Sequence, residues 1–235
     1  NLTFQLSAGH FVELVAISNI IGATQINVYG TLEEVESFSS ATLVVGGAAI
    51  RGTVTKTGQF TGNTYDGYFV FFETDSTFRR VIRSNTDDIL TLIGTAPSAT
   101  TQNCRIQKPA TSISGLQFPG VFNPLDVAFI NILGSSPATF PLASVKNLGT
   151  LTIRDCWITG RAIISNSFQI AITRSYISST GSIAGDIRDV AYMTMSFSYV
   201  KLPNATGGGW QVLNTSFINI QGGNTFNGDD GAGGK

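Results

Sequence analysis

The chain reads Leu151-Thr-Ile-Arg-Asp-Cys-Trp-Ile158, and it repeats this pattern in three further octads before residue 219. In each octad the third residue is a large aliphatic one or Met, the sixth is small, the seventh is aromatic and the eighth is β-branched. The octads begin 19, 23 and 18 residues apart. The other three octads are Ile170–Ile177, Met193–Val200 and Gln211–Ile218.

A repeat of about twenty residues built from short β-rich runs is typical of a parallel β-helix, in which each coil stacks on the previous one. Alternation along a strand predicts that the first and third positions of each octad point into the coil. The small, aromatic and aliphatic triplet predicts a corner followed by a new strand. We expect the rings of the four octads to form an internal stack, made by Trp157, Tyr176, Tyr199 and Phe217.

The composition supports an all-β protein with a neutral surface. The chain has 235 residues, of which 12% are charged and 42% are apolar, and its net charge is −1. Apolar residues are too abundant for a disordered chain. The balanced charge gives no basic field to attract nucleic acid. Because the chain starts at Asn1 without a methionine, we expect a processed chain or a fragment.

Changes in residue pattern and composition divide the chain into four predicted segments. Short strands with turn residues between them predict a small antiparallel β module, and five of the seven prolines fall between residues 109 and 150. The predicted fold class is therefore all-β, with a small antiparallel β module followed by a right-handed parallel β-helix. The segments are N-terminal β strands at 1–40, the antiparallel module at 41–108, the β-helix at 109–221 and a glycine-rich tail at 222–235.

The second segment carries a family resemblance. Its motifs are Thr57-Gly-Gln-Phe60, Asp66-Gly-Tyr-Phe-Val-Phe-Phe72 and Arg80-Val-Ile-Arg-Ser-Asn-Thr-Asp-Asp-Ile-Leu-Thr-Leu92. This order resembles a small β module that recurs in bacteriophage tail, fibre and spike proteins and in some large bacterial surface proteins. The motif predicts a hairpin whose turn, Ser84–Asp87, is capped by short polar side chains. The resemblance implies a virion or surface setting, and it implies no catalytic residue.

Glycan-cleaving chemistry would require two carboxylates, or a base beside a cation. The candidates in the octad region are Asp155, Asp186 and Asp189 as carboxylates, with Arg154, Arg174 and Arg188 as cations. Arg154-Asp155 and Arg188-Asp189 are adjacent opposite charges, so solvated faces are the favoured interpretation. Trp210 and Tyr192 are the remaining candidates for a surface platform that binds sugar.

The other reactive residues predict no catalytic, cofactor or metal site. His10 is the single histidine, so a histidine-based metal cage is excluded. Cys104 and Cys156 are predicted to be buried free thiols, although a pairing between them stays open. The acidic stretch Asn227–Gly231 lacks the ligand spacing of a calcium loop.

These patterns predict a structural virion protein, a phage tail or baseplate spike that acts in host-cell adsorption or in puncturing of the envelope. We expect a homotrimer in the virion tail, in contact with other tail or baseplate proteins and with host-envelope polysaccharide or outer membrane. One alternative is a polysaccharide-degrading tailspike or pectate-lyase-like enzyme that uses Asp186, Arg188 and Asp189. A second alternative is a bacterial surface adhesin.

Overall fold

The fold is described from a computed structural model of the chain. The structure describes residues 1–11, 15–16, 25–47, 51–62, 64–98, 100–113, 116–117, 125–135, 148–159, 162–165, 167–178, 185–188, 192–202, 210–213, 217–221 and 225–228. Within these ranges the secondary structure consists of strands, and no helix is present. The all-β class predicted from the sequence is therefore confirmed for this part of the chain.

The strands are numbered in chain order. The first four are β1 (Leu2–Gln5), β2 (Gly9–Phe11), β3 (Val15–Ala16) and β4 (Gln25–Tyr29). The next six are β5 (Leu32–Val44), β6 (Thr53–Thr55), β7 (Phe69–Phe72), β8 (Asp75–Asn85), β9 (Ile89–Leu92) and β10 (Thr101–Pro109). The remainder are β11 (Thr111–Ile113), β12 (Leu116–Gln117), β13 (Leu125–Ile130), β14 (Ile132–Ser135), β15 (Leu148–Arg154), β16 (Trp157–Thr159), β17 (Ala162–Ser165), β18 (Ser167–Thr173), β19 (Tyr176–Ser178), β20 (Gly185–Arg188), β21 (Tyr192–Ser196), β22 (Tyr199–Leu202), β23 (Trp210–Leu213), β24 (Phe217–Gln221) and β25 (Thr225–Gly228).

Two seven-stranded parallel sheets run along the molecule. The first sheet has the order β1-β4-β13-β15-β18-β21-β24, and the second has the order β2-β11-β14-β16-β19-β22-β25. From β15 onward the chain passes through the first sheet, the second sheet and then the short sheet β17-β20-β23 before it returns. We call the strands of these parallel sheets, with the short pair β3 and β12, the coil stack. The right-handed sense of this winding stays a prediction.

The strand register confirms the alignment of the first three octads. Leu151 pairs with Ile170, and Ile170 pairs with Met193. The third positions, Ile153, Ile172 and Met195, are in register in the same way. All six of these side chains are buried, as expected for residues that point into the coil.

The predicted fourth octad is wrong. Gln211 pairs with Asp186 in the short third sheet, whereas the residue in register with Met193 is Ile218. Tyr199 pairs with Thr225 and not with Phe217. The run from Gln211 to Ile218 reproduces the residue classes of an octad, but it spans the end of one strand and the start of another.

Four consecutive turns of the stack bend at the fifth octad position. Asp155, Arg174 and Phe197 have φ values of 53°, 46° and 48°, and Asn131 occupies the same place one coil earlier with φ 59°. This left-handed conformation lets each amide follow the axis of the stack: Asp155 N donates to Thr173 O at 3.2 Å and Arg174 N donates to Ser196 O at 3.0 Å. The corners are thus joined along the stack as the strands are.

The small sixth position is explained by a ladder of hydroxyl groups behind these corners. The Ser175 hydroxyl accepts a bond from Cys156 N at 3.3 Å, and the Ser198 hydroxyl accepts one from Ser175 N at 3.2 Å. The three side chains at this position, Cys156, Ser175 and Ser198, are completely buried. A larger residue at any of them would break the ladder.

The second structural unit is a closed antiparallel barrel with the order β10-β5-β6-β9-β8-β7. Its interior is filled by apolar side chains from all six strands and from the β6–β7 connection. They include Phe38, Leu43, Val54, Phe60, Val70, Phe72, Ile82, Leu90, Leu92 and Ile106. The β8–β9 turn confirms the predicted polar cap, because the Thr86 hydroxyl accepts a bond from Ile89 N at 3.1 Å.

The barrel is inserted into a corner of the coil stack. β4 ends at Tyr29 beside β13, and Gly30 N donates to Ile130 O at 2.8 Å in the place of a fifth octad position. The chain rejoins the stack at Thr111, which pairs with Ile132 and with Gly9. The strands of residues 2–29 therefore belong to the coil stack, and β5 begins the barrel at Leu32.

Both cysteines are free and buried, as predicted from the sequence. Burial raises the pKa of each thiol to about 12. Cys104 lies in the barrel core, whereas Cys156 lies at a corner of the coil stack. The described residues also include no helix with the length and apolar character needed to cross a membrane.

Candidate functional site

The aromatic residues of the first three octads face the barrel and do not point into the coil, while the side chain of Phe217 lies outside the described residues. Trp157, Tyr176 and Tyr199 form a continuous column, with ring centroids 5.6 Å and 5.4 Å apart. Each ring is followed in its strand by a fully buried aliphatic residue, and successive residues of a strand point to opposite faces. The prediction of an internal aromatic stack is therefore wrong in its direction, and the column is on the outer face of the second sheet.

The barrel covers this column with an apolar patch of its own. Phe69, Phe71, Val81 and Ile93 form one buried cluster with Tyr176 and Tyr199. The Tyr68 ring meets the Trp157 ring edge-on at 5.1 Å. Gly67 allows the closest approach: a Cβ atom there would lie 2.5 Å from the Tyr176 ring, and its φ of +85° also favours glycine. Burial of this kind is the main force that holds the two units together.

A buried carboxylate provides the second connection between the units. Asp155 is only 2% exposed, and both of its oxygens accept bonds from the Arg174 guanidinium, at 2.8 and 2.9 Å. Arg79 of the barrel approaches it to 3.4 Å, and Arg154 approaches it to 3.8 Å. The prediction that Arg154-Asp155 forms a solvated face is therefore wrong for Asp155.

Two barrel arginines extend this connection. Arg79 lies over the Phe71 ring at 4.2 Å and donates to Asn131 Oδ1 at 2.9 Å. Arg80 is placed between two rings, 3.8 Å from Phe78 in the barrel and 4.5 Å from Phe197 at a coil corner. Burial, together with the positive charge of Arg174, lowers the pKa of Arg80 to about 10. These contacts fix β8 against the fifth-position corners of consecutive coils.

Beyond Tyr199 the two units separate and form a cleft of about 370 Å³. The cleft is polar, and both units contribute to it. The described residues that line it are Thr64, Asp66, Arg83, Ser84 and Asn85 from the barrel with Tyr199 and Lys201 from the coil stack.

Lys201 donates a hydrogen bond to Asp66 and closes the cleft where the units meet. Burial lowers the pKa of Lys201, but the bond to Asp66 and the negative charge of that residue outweigh it, and the net effect is a raised pKa. Arg83 is half-buried, and within the described residues no acidic side chain forms an ion pair with it. Arg51 lies close by, where burial and the positive charge of Arg83 lower its pKa.

The other residues that the sequence singled out lie on other sheets or outside the described residues. The backbones of Asp186 and Arg188 lie in β20, two residues apart on the same strand, while their side chains and all of Asp189 lie outside the described residues. Tyr192 lies on the first sheet, where Asn219 Nδ2 donates to its hydroxyl at 3.4 Å. The side chain of Trp210 is likewise outside the described part.

His10 has a structural position. Its Nδ1 lies 2.6 Å from the Ser112 hydroxyl on the neighbouring strand, in the column that continues to the octad aromatics. Among the described residues no group of three or more His, Cys, Asp or Glu side chains is placed to hold a metal ion. The acidic stretch Asn227–Gly231 lies mostly outside the described residues.

The sequence analysis did not identify the barrel residues that contact the coil stack. A signal was present in the run Arg79-Arg80-Val-Ile-Arg83, which places three of the chain's 14 basic residues within one strand. In a chain with only 12% charged residues, such a cluster of one sign indicates a docking or binding surface.

No family model matches the chain, and no curated protein matches it. A solved structure to which the chain is similar is the Gp54 tailspike of Acinetobacter baumannii bacteriophage AP22, determined in complex with A. baumannii capsular saccharide. The identity is 9% and the TM-score is 0.24, over 96% of this chain and 53% of that one. This chain thus spans about half the length of that tailspike.

Proposed function

We propose that the chain is a structural component of a phage tail or baseplate spike, acting without catalysis in adsorption to the host envelope or in its penetration. The observation that carries the proposal is the double connection between barrel and coil stack. Apolar burial around Tyr176 and the ion pairs of Asp155 together attach the barrel to several consecutive coils. A spike needs such attachment because force applied at one unit must reach the other.

The coil stack suits a load-bearing role. Its strands and corners are hydrogen-bonded to their neighbours along the axis, so a force along that axis is shared over many parallel bonds. In the proposal the stack is a right-handed parallel β-helix, the hand that nearly all parallel crossover connections adopt.

The proposed assembly is a homotrimer in the virion tail, joined to other tail or baseplate proteins and directed at envelope polysaccharide or outer membrane. Three-fold closure would cover the apolar side chains that the single chain leaves exposed. They include Phe4, Val35, Val44 and Ile220. Sedimentation equilibrium should then give three times the chain mass of 24.9 kDa.

The setting is tested by labelling purified virions and host cells with gold-conjugated antibodies against the chain. Label at the distal tail is the expected result. Label on the surface of uninfected bacteria would instead identify an adhesin and overturn the proposal.

The absence of catalysis is tested by incubating the protein with polysaccharide from the envelope of the labelled host. The polymer should keep its length, with no new reducing ends and no unsaturated sugars. Cleavage that disappears in Asp186→Asn or Asp189→Asn would overturn the proposal in favour of a degrading tailspike. An Asp126→Asn variant is a control, since Asp126 is exposed at the start of β13.

A further inference from the structure

We infer that the cleft beyond Tyr199 is a binding site for a carboxylate-bearing sugar residue, such as a uronic acid. Its volume of about 370 Å³ lies within the range of small-molecule sites, about 300 to 1,000 Å³. The inference goes beyond the structural role proposed above, and it stands without that role.

The charge in the cleft selects an anion. Lys201 balances the negative charge of Asp66, so among the described residues of the lining Arg83 carries the remaining charge. Arg51 adds a second positive charge beside it. A guanidinium presents two parallel N–H donors that match the two oxygens of a carboxylate.

The neutral lining selects a hydroxyl-rich ligand. Thr64 and Ser84 are exposed at the cleft, and their hydroxyls can each donate and accept hydrogen bonds. Asn85 holds the rim in place, because its Oδ1 accepts a bond from Tyr65 N at 2.9 Å. A guanidinium with two parallel donors, together with several hydroxyl groups, fits a sugar acid better than an apolar acid.

The site also requires both units of the fold. Arg83, Thr64 and Ser84 come from the barrel, whereas Tyr199 and Lys201 come from the coil stack. Tyr199 is almost fully buried and ends the aromatic column that docks the barrel. Docking of the barrel therefore builds the cleft, and a ligand bound there would contact both units.

The test measures binding of trigalacturonate by titration calorimetry and by the shifts of amide resonances in β8 and β22. The matched probe is the methyl ester of the same trisaccharide, which keeps the hydroxyls and removes the charge. The ester should bind at least about tenfold more weakly, the loss expected for a charge-assisted hydrogen bond. Inorganic phosphate is the third probe, and it should not displace the trisaccharide.

Arg83→Gln should weaken trigalacturonate binding about tenfold or more. Arg83→Lys should bind trigalacturonate better than Arg83→Gln but more weakly than the wild type, because lysine lacks the two parallel donors of a guanidinium. Arg105→Gln, at an exposed barrel position, is the matched control and should leave binding unchanged. Thermal unfolding of each variant establishes that it is folded.

Three results with the wild-type protein would overturn the inference. They are the absence of binding, equal binding of acid and ester, and displacement by phosphate at the same concentration as the sugar. Equal binding by folded Arg83→Gln and the wild type would also overturn it. None of these results bears on the virion labelling or on the mass in solution, so the two proposals fail separately.

Discussion

Replacing Asp155 with Asn tests the charged connection between barrel and coil stack. The variant removes one negative charge and keeps the shape of the side chain. Asn also tolerates the left-handed conformation that this corner requires, with φ 53°, so the backbone need not change.

The expected loss of unfolding free energy follows from the contacts. Two bonds from the Arg174 guanidinium to a carboxylate become at best one bond from it to a neutral amide oxygen, and the ion pair with Arg79 is lost. Breaking a fully buried pair costs about 3–5 kcal/mol. Here the side chains of Arg79, Arg174 and Arg154 are 21%, 23% and 43% exposed, so water compensates part of the loss. We therefore expect about 2–4 kcal/mol.

The assay is thermal and urea unfolding of Asp155→Asn. The control is Asp87→Asn, because the Asp87 side chain is exposed in the β8–β9 turn. A loss of this size lowers the Tm of a chain of this length by about 5–12 °C, while the control should stay within about 1 °C. A double-mutant cycle with Arg79→Gln should give a coupling energy of about 1 kcal/mol or more. If Asp155→Asn unfolds within about 0.5 kcal/mol of the wild type, the carboxylate does not connect the units and the reasoning fails.

Further predictions concern the apolar contact between the barrel and the coil stack, and the buried thiol and phenol groups. Gly67→Ala should lower the free energy of unfolding in urea by about 2–5 kcal/mol, since its Cβ would meet the Tyr176 ring and its φ is +85°. The control is Gly58→Ala, with φ +66° and open space around it, which should lower the same free energy by about 1–2 kcal/mol. A cost for Gly67→Ala no larger than for Gly58→Ala would show that the barrel does not approach the column. Tyr176→Asp should destabilise by about 3 kcal/mol or more because it buries a charge, while Tyr192→Asp, at a half-exposed position, serves as control; a near-neutral Tyr176→Asp would place the ring in solvent. Alkali should also destabilise the protein, because burial raises the pKa of Cys104, Cys156 and Tyr176 to about 12 from ordinary values of 9.0 and 10.0. The folded chain keeps protons that the unfolded chain loses, so this contribution is complete below about pH 9 and falls by about 1.4 kcal/mol per pH unit and group as the pH rises towards 12. Urea unfolding between pH 8 and 11 measures the slope, and a flat profile would contradict the burial of these groups.

The sequence was informative wherever periodicity and burial coincide. Leu151, Ile170 and Met193 were aligned correctly because inward positions must be apolar and the coils repeat. The run Gln211–Ile218 misled because residue classes alone do not reveal where a strand ends. Register depends on the length of each connection, and these lengths vary from coil to coil.

Local sequence patterns could not predict that the barrel is inserted into the coil stack, nor which way the aromatic rings of the octads point. Strands such as β2 and β11 pair across about a hundred residues, as His10 does with Ser112, and nothing in either short run specifies its partner. An aromatic residue between a small residue and an aliphatic one is compatible with a core position on either face of a sheet. The barrel decides the outcome, because it makes the outer face of the second sheet as apolar as the inner one.

Native-state hydrogen exchange tests most directly the central claim that barrel and coil stack form one mechanically connected unit. The amides to follow are those of Val70 and Leu92 in the barrel and of Ile153 and Ile172 in the stack, all at fully buried residues. Connected units should open together, so the four amides should share one free energy of opening, and Asp155→Asn should lower all four equally. Separate opening energies, with the barrel unaffected by Asp155→Asn, would contradict the account.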